Sequence, residues 1–141
     1  MFRELLFSPK SLWNAGAIIL RVIAGITIFK FGLEFFEEDK MNGYRDWLTD
    51  LHFPVPMIMA YIGKICELAG GVLLALGLFT RLITLLLVIN MFVVVFIMGK
   101  PAFFDGDSPF LLLLIFLHFL FTGPGNWSLD YLFFRPKKNR D

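Results

Sequence analysis

The chain has 141 residues, 57% of them hydrophobic, including 18 Phe, and a net charge of only +1. Soluble domains hold roughly 45–50% apolar residues, and the mean hydropathy of +0.72 lies well on the membrane side. The small charge excludes a basic nucleic-acid surface. The single cysteine, Cys66, excludes a disulfide framework, a CxxC redox pair or a Cys-based metal site within one chain, and so a self-contained thiol–disulfide enzyme.

The first apolar stretch covers about residues 12–36. It is too long for a signal-peptide core, contains Arg21 and Lys30, and has no small-residue cleavage site after it, so it reads as a retained span. Asn14 is a candidate cap at its start, and Glu37-Glu38-Asp39 ends it. In the loop that follows, residues 44–51 are predicted to form a short amphipathic helix on the interface. Tyr44 and Trp47 suit that level, where amphipathic aromatics collect. Pro54 and Pro56 block helix and announce the second span, about 57–78. Phe79-Thr80-Arg81 is a tight turn, and the third span, about 82–98, stops at Gly99 and Pro101.

The fourth span is expected over about 103–122. Its apolar run from Pro109 is short against the roughly 20 residues a bilayer needs. After Gly123-Pro124-Gly125, residues 126–131 read as an interfacial turn or short helix, and a basic tail, 135–141, ends the chain. The fold class is therefore all-α: one domain over 1–141, a polytopic four-helix membrane bundle with a short interfacial helix in the first outer loop. Arg3, Lys10, Arg81, Arg135, Lys137, Lys138 and Arg140 collect on one side, against Lys40, Arg45 and Lys100 on the other. The richer side is expected to be cytoplasmic, with both termini inside.

Ionisable residues inside such spans are expensive and mark function or pairing. Gly63, Gly70 and Gly77 recur every seven residues and share a helix stripe that drifts by only ~20° per repeat. Glu67 lies near that stripe, so it is expected to face another helix at a close, glycine-lined contact. On the first span Arg21, Gly25 and Gly32 share a face. With the two spans centred on each other, Arg21 and Glu67 fall within roughly one helical turn in depth, and an Arg21–Glu67 ion pair is the expectation. It serves either to set helix register or to take part in chemistry.

Lys30 points about 180° away from Arg21 and is expected to pair with Glu34 at i+4, snorkelling toward the outer interface. Lys64 sits three residues before Glu67, so an outward-opening cavity would gather Lys64, Glu67 and Glu34. Asn90, midway along the third span, can bridge helices through its amide. His118, in the fourth, is either a satisfied interhelical residue or a group that relays protons or hydrogen-bonds a quinone carbonyl. The only other histidine, His52, lies at the wrong depth for a bis-His haem. No metal-ligand spacing and no recognisable cofactor motif is present, and Cys66 reads as a small hydrophobe.

Several of these pieces, in this order and spacing, resemble the DoxX family of small four-helix membrane proteins. They are Leu20-Arg21-Val22-Ile23-Ala24-Gly25, Phe31-Gly32, Gly63-Lys64-Ile65-Cys66-Glu67-Leu68-Ala69-Gly70-Gly71, Leu76-Gly77-Leu78-Phe79-Thr80-Arg81, and Gly123-Pro124-Gly125-Asn126-Trp127-Ser128-Leu129-Asp130. Residues 47–56 look like a subgroup of that family. Many members carry a His-Gly-x-x-Lys run near the end of the first span. Here Phe31-Gly32-Leu33-Glu34-Phe35 lacks both the His and the Lys, and Lys30 and Glu34 offer a different polar set.

The resemblance implies an inner-membrane accessory or quinone-site subunit of a redox system, with a redox partner protein supplying electrons. Whether the chain is itself an enzyme is left open, as is homo-oligomerisation through the glycine faces. Two other readings stand beside it. One is a small transporter or lipid-like ligand binder using the Lys64–Glu67 cavity. The other is a structural or assembly protein whose charges only fix helix order.

Overall fold

A computed structural model describes residues 9–99 and 108–134. Helix α1, Pro9–Gly32, runs into a 3-10 turn, Leu33–Phe36. Helix α2, Glu38–Asp50, follows at once. Helix α3, Pro56–Leu76, begins with proline in its first turn, where the missing N–H has no intrahelical acceptor to lose. It ends at Gly77, whose φ of +70° closes a Schellman turn: Gly77 N–H donates to Leu74 O and Leu78 N–H to Leu73 O. Helix α4, Thr80–Phe92, continues as a π-helical stretch, Val93–Met98. Helix α5, Ser108–Thr122, and the short α6, Leu129–Phe134, complete the described chain.

Among the described residues three stretches are long and apolar enough to cross a membrane: Trp13–Phe36, Pro56–Leu76 and Thr80–Met98, with Pro109–Thr122 a shorter apolar fourth. Their outward faces carry Ile19, Ile23 and Ile26 on α1, Ile58, Ile62 and Ile65 on α3, and Leu82, Leu85 and Ile89 on α4, all exposed. Such a belt is a lipid-facing surface. The expected all-helical membrane bundle is what forms. Of the fourth span, residues 103–107 lie outside the described residues, as does the basic tail 135–141.

The helices are arranged by glycine. A Cβ on Gly25 would stand 2.8 Å from Gly71 O and Ala75 N, and one on Gly71 would stand 2.7 Å from Gly25 O. At Gly32 the intruded backbone is that of Leu68, at 2.5 Å. These contacts seat α1 directly on α3, backbone against backbone. The seven-residue stripe on α3 divides its work differently from the expectation of one packing face. Gly70 receives Leu87 of α4, Gly63 faces the Asn90 side chain, and Gly77 is the helix cap. The main core, including Ala24, Ile28, Leu74, Leu87, Leu112 and Phe116, fills the bundle below.

The helix after the first span differs from the short interfacial one expected over 44–51. It starts at Glu38, and Met41 and Leu48 are buried against Ala60. Positions 41, 44 and 48 share one face, so α2 caps the bundle through that face. For orientation, the end carrying α2 is termed the α2 end and the one carrying the α3–α4 turn the hairpin end.

Candidate functional site

Two polar centres occupy opposite ends of the bundle. The one at the hairpin end is built on Arg21. Its guanidinium donates to the carbonyl of Pro124 and, at 2.8 Å, to that of Trp127. Asp130 lies on the same segment and reaches the start of α4, where its two carboxylate oxygens accept the N–H groups of Phe79 (2.6 Å) and Thr80 (2.8 Å). Its own N–H donates to Gly77 O at 2.9 Å. The first N–H groups of a helix have no intrahelical acceptor, and the N-cap residue Phe79 offers no side-chain acceptor, so a carboxylate fifty residues away does the capping. Ser128 in turn accepts from Tyr131 N–H at the start of α6. A Cβ at Gly77 would meet Ser128 and the Arg21 guanidinium at 2.6–2.8 Å, so glycine is needed there for space as well as for φ.

This corrects the expected Arg21–Glu67 pair. The contacts Gly25–Gly71/Ala75 and Gly32–Leu68 set α1 about two helical turns away from the centred alignment. Arg21 therefore lies level with Gly77, and Glu67 level with Gly32.

The second centre, at the α2 end, is held by side chains. Lys64 Nζ donates to Glu67 Oε2 and Glu34 Oε2, both at 2.9 Å, and to Phe31 O at 3.2 Å. It also lies 4.5 Å from the centroid of the Tyr44 ring. Asn90 Nδ2 donates to Glu67 Oε1 at 3.0 Å, and Tyr44 OH donates to Glu34 Oε2 at 2.5 Å. Lys40 Nζ bridges Glu34 Oε1 and Glu37, at 3.2 Å each. The Lys64 and Glu67 side chains are only 9% and 5% exposed, so the cluster runs from a half-exposed surface lysine to a carboxylate sealed among helices.

Local structure explains who meets whom. Lys64 and Glu67 are i, i+3 neighbours on α3. Glu34 reaches them because α1 tightens into its 3-10 turn after Gly32, just where the backbone of Leu68 is in contact. Glu34 then faces Lys64 and Lys40, not Lys30, which is exposed. Outside the spans, the contacts with Glu34 and Glu37 push the Lys40 ammonium pKa up. Burial pushes the Tyr44 phenol up, and its hydrogen bond to Glu34 acts the same way.

Beside this cluster lies a cavity of about 470 Å³. Lys64, Glu67 and Asn90 form its polar side, while α2 contributes Tyr44 and Trp47, and Met59 and Ile89 belong to its apolar walls. Cys66, read as a small hydrophobe, also lines it. His118 is elsewhere: its ring packs edge-on against Trp13 (5.7 Å) and Phe119 (5.2 Å), two residues that do not line the pocket. Among the described residues no group of three or more His, Cys, Asp or Glu is placed to hold a metal.

Sequence reasoning brought Lys64, Glu67 and Glu34 together but missed Tyr44, Lys40 and the bond from Asn90 to Glu67. The signal for Tyr44 was available in the Met41, Tyr44, Leu48 spacing, which marks a packed helix face.

The chain is similar to known proteins. The DoxX family pattern matches residues 16–100. A Bacillus subtilis (strain 168) protein named "Putative oxidoreductase CatD" is 36% identical over 129 residues, spanning 90% of this chain and 93% of that protein. An uncharacterized protein of Haemophilus influenzae is 33% identical over 102 residues, 60% of this chain and 76% of its own length. No solved structure matches. The family match runs from residue 16, within α1, past the end of α4, including every residue of the buried Lys64 cluster, and the Bacillus relative extends over nearly the whole chain: this protein belongs to the DoxX family.

Proposed function

We propose that this protein is an integral subunit of a quinone-linked redox system in the plasma membrane, with the cavity at the α2 end as its quinone site. The observation that carries the reading is an apolar cavity of about 470 Å³ edged on one side by a buried Lys64–Glu67–Asn90 row. Small-molecule sites fall in the range of roughly 300–1,000 Å³, with mostly apolar walls and a few placed polar groups. When bound, a quinone supplies two-electron, two-proton redox chemistry on a flat ring with two carbonyl acceptors.

The residues suit that head. Lys64 and Asn90 are donors at the pocket edge, and Asn90 commits one amide proton to Glu67, leaving a second. Glu67 lies between them and can hold a proton or a negative charge. From Glu67 the chain of contacts passes through Lys64 and Glu34 to the half-exposed Lys40, with Tyr44 beside it. Protons taken up or released at Glu67 would exchange on the α2 side. The excess of Lys and Arg in the other short loops and the tail supports an orientation with that side outside the cell and both termini in the cytoplasm. Electrons come from a partner protein. The oxidoreductase name of the Bacillus relative supports a redox role.

The test is mass spectrometry of what co-purifies in mild detergent, wild type against Glu67→Gln. A quinone present in wild type and lost in the variant is the expected result. A different lipid would favour a ligand carrier, and no ligand in either protein would favour a scaffold.

A further inference from the structure

The walls of the cavity are not all interior. Met59 and Ile62 of α3, and Leu86 and Ile89 of α4, line it, yet are 42%, 57%, 44% and 55% exposed. All four lie on faces that meet lipid in a bundle whose helices span a bilayer. Opposite them, Lys64 is buried against Phe31, Glu34 and Tyr44, and Glu67 is buried against Lys64 and Asn90. The exposed part of the cavity wall therefore lies mainly along α3 and α4, with Trp47 of α2 also 45% exposed, and its polar part lies at Lys64, Glu67 and Asn90.

Glycine sets how far the opening extends. Gly70 lets Leu87 approach to 3.0 Å from where a Cβ would be, which seals α3 against α4 below the cavity. One level up, Gly63 presents no side chain, and the Asn90 amide fills the space at 3.1 Å. Above that, α4 gives up α-helical pairing for the π-helical stretch Val93–Met98, with Val93, Val94 and Met98 lining the cavity. Such wide turns break the side-chain register of a helix and recur at functional sites.

We propose that the cavity is entered sideways from the bilayer, through the crevice between α3 and the outer half of α4. Its ligand is a bilayer-borne amphiphile whose hydrogen-bonding head reaches Lys64, Glu67 and Asn90 while its apolar tail leaves between Ile62 and Ile89. The identity of the head as a quinone rests on the function proposed above; the sideways route does not. A long-tailed isoprenoid quinone fits the description. A phospholipid enters by the same route but places its head at the interface, away from the buried Lys64 cluster.

The experiment uses the full chain in bilayers containing a phospholipid with a photoactivatable diazirine in its acyl tail. Adducts are mapped by tandem mass spectrometry with and without added long-chain isoprenoid quinone. Adducts are expected on the cavity wall at Gly63, Cys66 and Asn90, besides lipid-facing controls at Ile19 and Ile23. The quinone should reduce the wall adducts at least five-fold and leave the controls unchanged. Ile62→Trp with Ile89→Trp, two lipid-facing changes, should abolish the wall adducts alone. Wall adducts that quinone does not displace would support the sideways route and overturn the quinone assignment. Control adducts with none on the wall, with or without quinone, would overturn the route itself.

Discussion

The two ends of this bundle use the same kinds of residue for different ends. At the hairpin end Arg21 and Asp130 spend their charges on backbone groups: two carbonyls for one, two helix N–H groups for the other. At the α2 end Lys64, Glu67, Glu34, Tyr44 and Asn90 bind mainly one another, beside a cavity. A charge that satisfies backbone cannot leave without exposing an unpaired peptide group, so it locks geometry. A charge held by side chains next to open space can exchange partners with a ligand or a proton. A buried charge is thus better judged by what it hydrogen-bonds than by its burial.

The sharpest way to break this contrast is Lys64→Met. It leaves Glu67 buried without its counter-ion and should lower stability by about 3–5 kcal/mol, read from thermal unfolding in mild detergent. Adding Glu67→Leu should recover most of that loss while ligand retention stays absent. A double variant as unstable as the single one would show that the α2 end is a clamp too. The earlier expectation would have paired Glu67→Leu with Arg21→Met; with Arg21 engaged at the other end, that combination should give no rescue.

Next in size is Asp130→Asn, which weakens two charge-assisted bonds to the start of α4. A loss of about 2 kcal/mol is expected, with co-purifying ligand unchanged. Ligand lost along with stability would mean that the two ends are coupled. Tyr44→Phe removes one hydrogen bond to Glu34 and should cost about 1 kcal/mol. Its signature is looser seating of α2, visible as faster hydrogen exchange over Met41 and Leu48 than over α3.

The smallest effect is with pH. Both Lys40 and Tyr44 have pKa values raised in the folded protein. Each therefore holds its proton more tightly when folded, and the stability it adds is full below the unfolded values of about 10. That contribution is lost as pH rises through the folded values. Hydrogen exchange at fixed effective rate should show α2 loosening above about pH 10, before the Gly25–Gly71 contact does. Loosening of α2 instead at neutral pH would contradict these assignments.

Much of the architecture was legible in order. Apolar run lengths and Pro54 and Pro56 marked where helices start and stop, and the i, i+3 spacing placed Lys64 beside Glu67; Gly77, read as a packing glycine inside the second span, is instead the cap that ends the helix. Two things were not legible. The Arg21–Glu67 pair was argued from shared glycine faces and from depth with the spans centred, and depth depends on how α1 slides along α3. That slide is set by where Gly25, Gly32 and Gly71 let backbones touch, a contact between two chain segments that neither encodes alone. Asp130 capping α4 was equally hidden, because a cap is ordinarily sought at the residue before the helix, and here that residue is Phe79.

The sequence by itself determined that this is a helical membrane protein, which residues are too polar for lipid, and that Lys64 and Glu67 share a face. Those follow from local rules: the apolar length a bilayer demands and the 3.6-residue period of a helix. Tertiary structure alone decided the partners. It sent Arg21 to the C-terminal segment, drew Tyr44 and Lys40 into the cluster, and left a cavity beside Glu67. The reason is physical: hydrophobicity has no direction, so it places helices side by side without fixing their register. In this bundle the register comes from close glycine contacts and from hydrogen bonds that must be satisfied where water is absent.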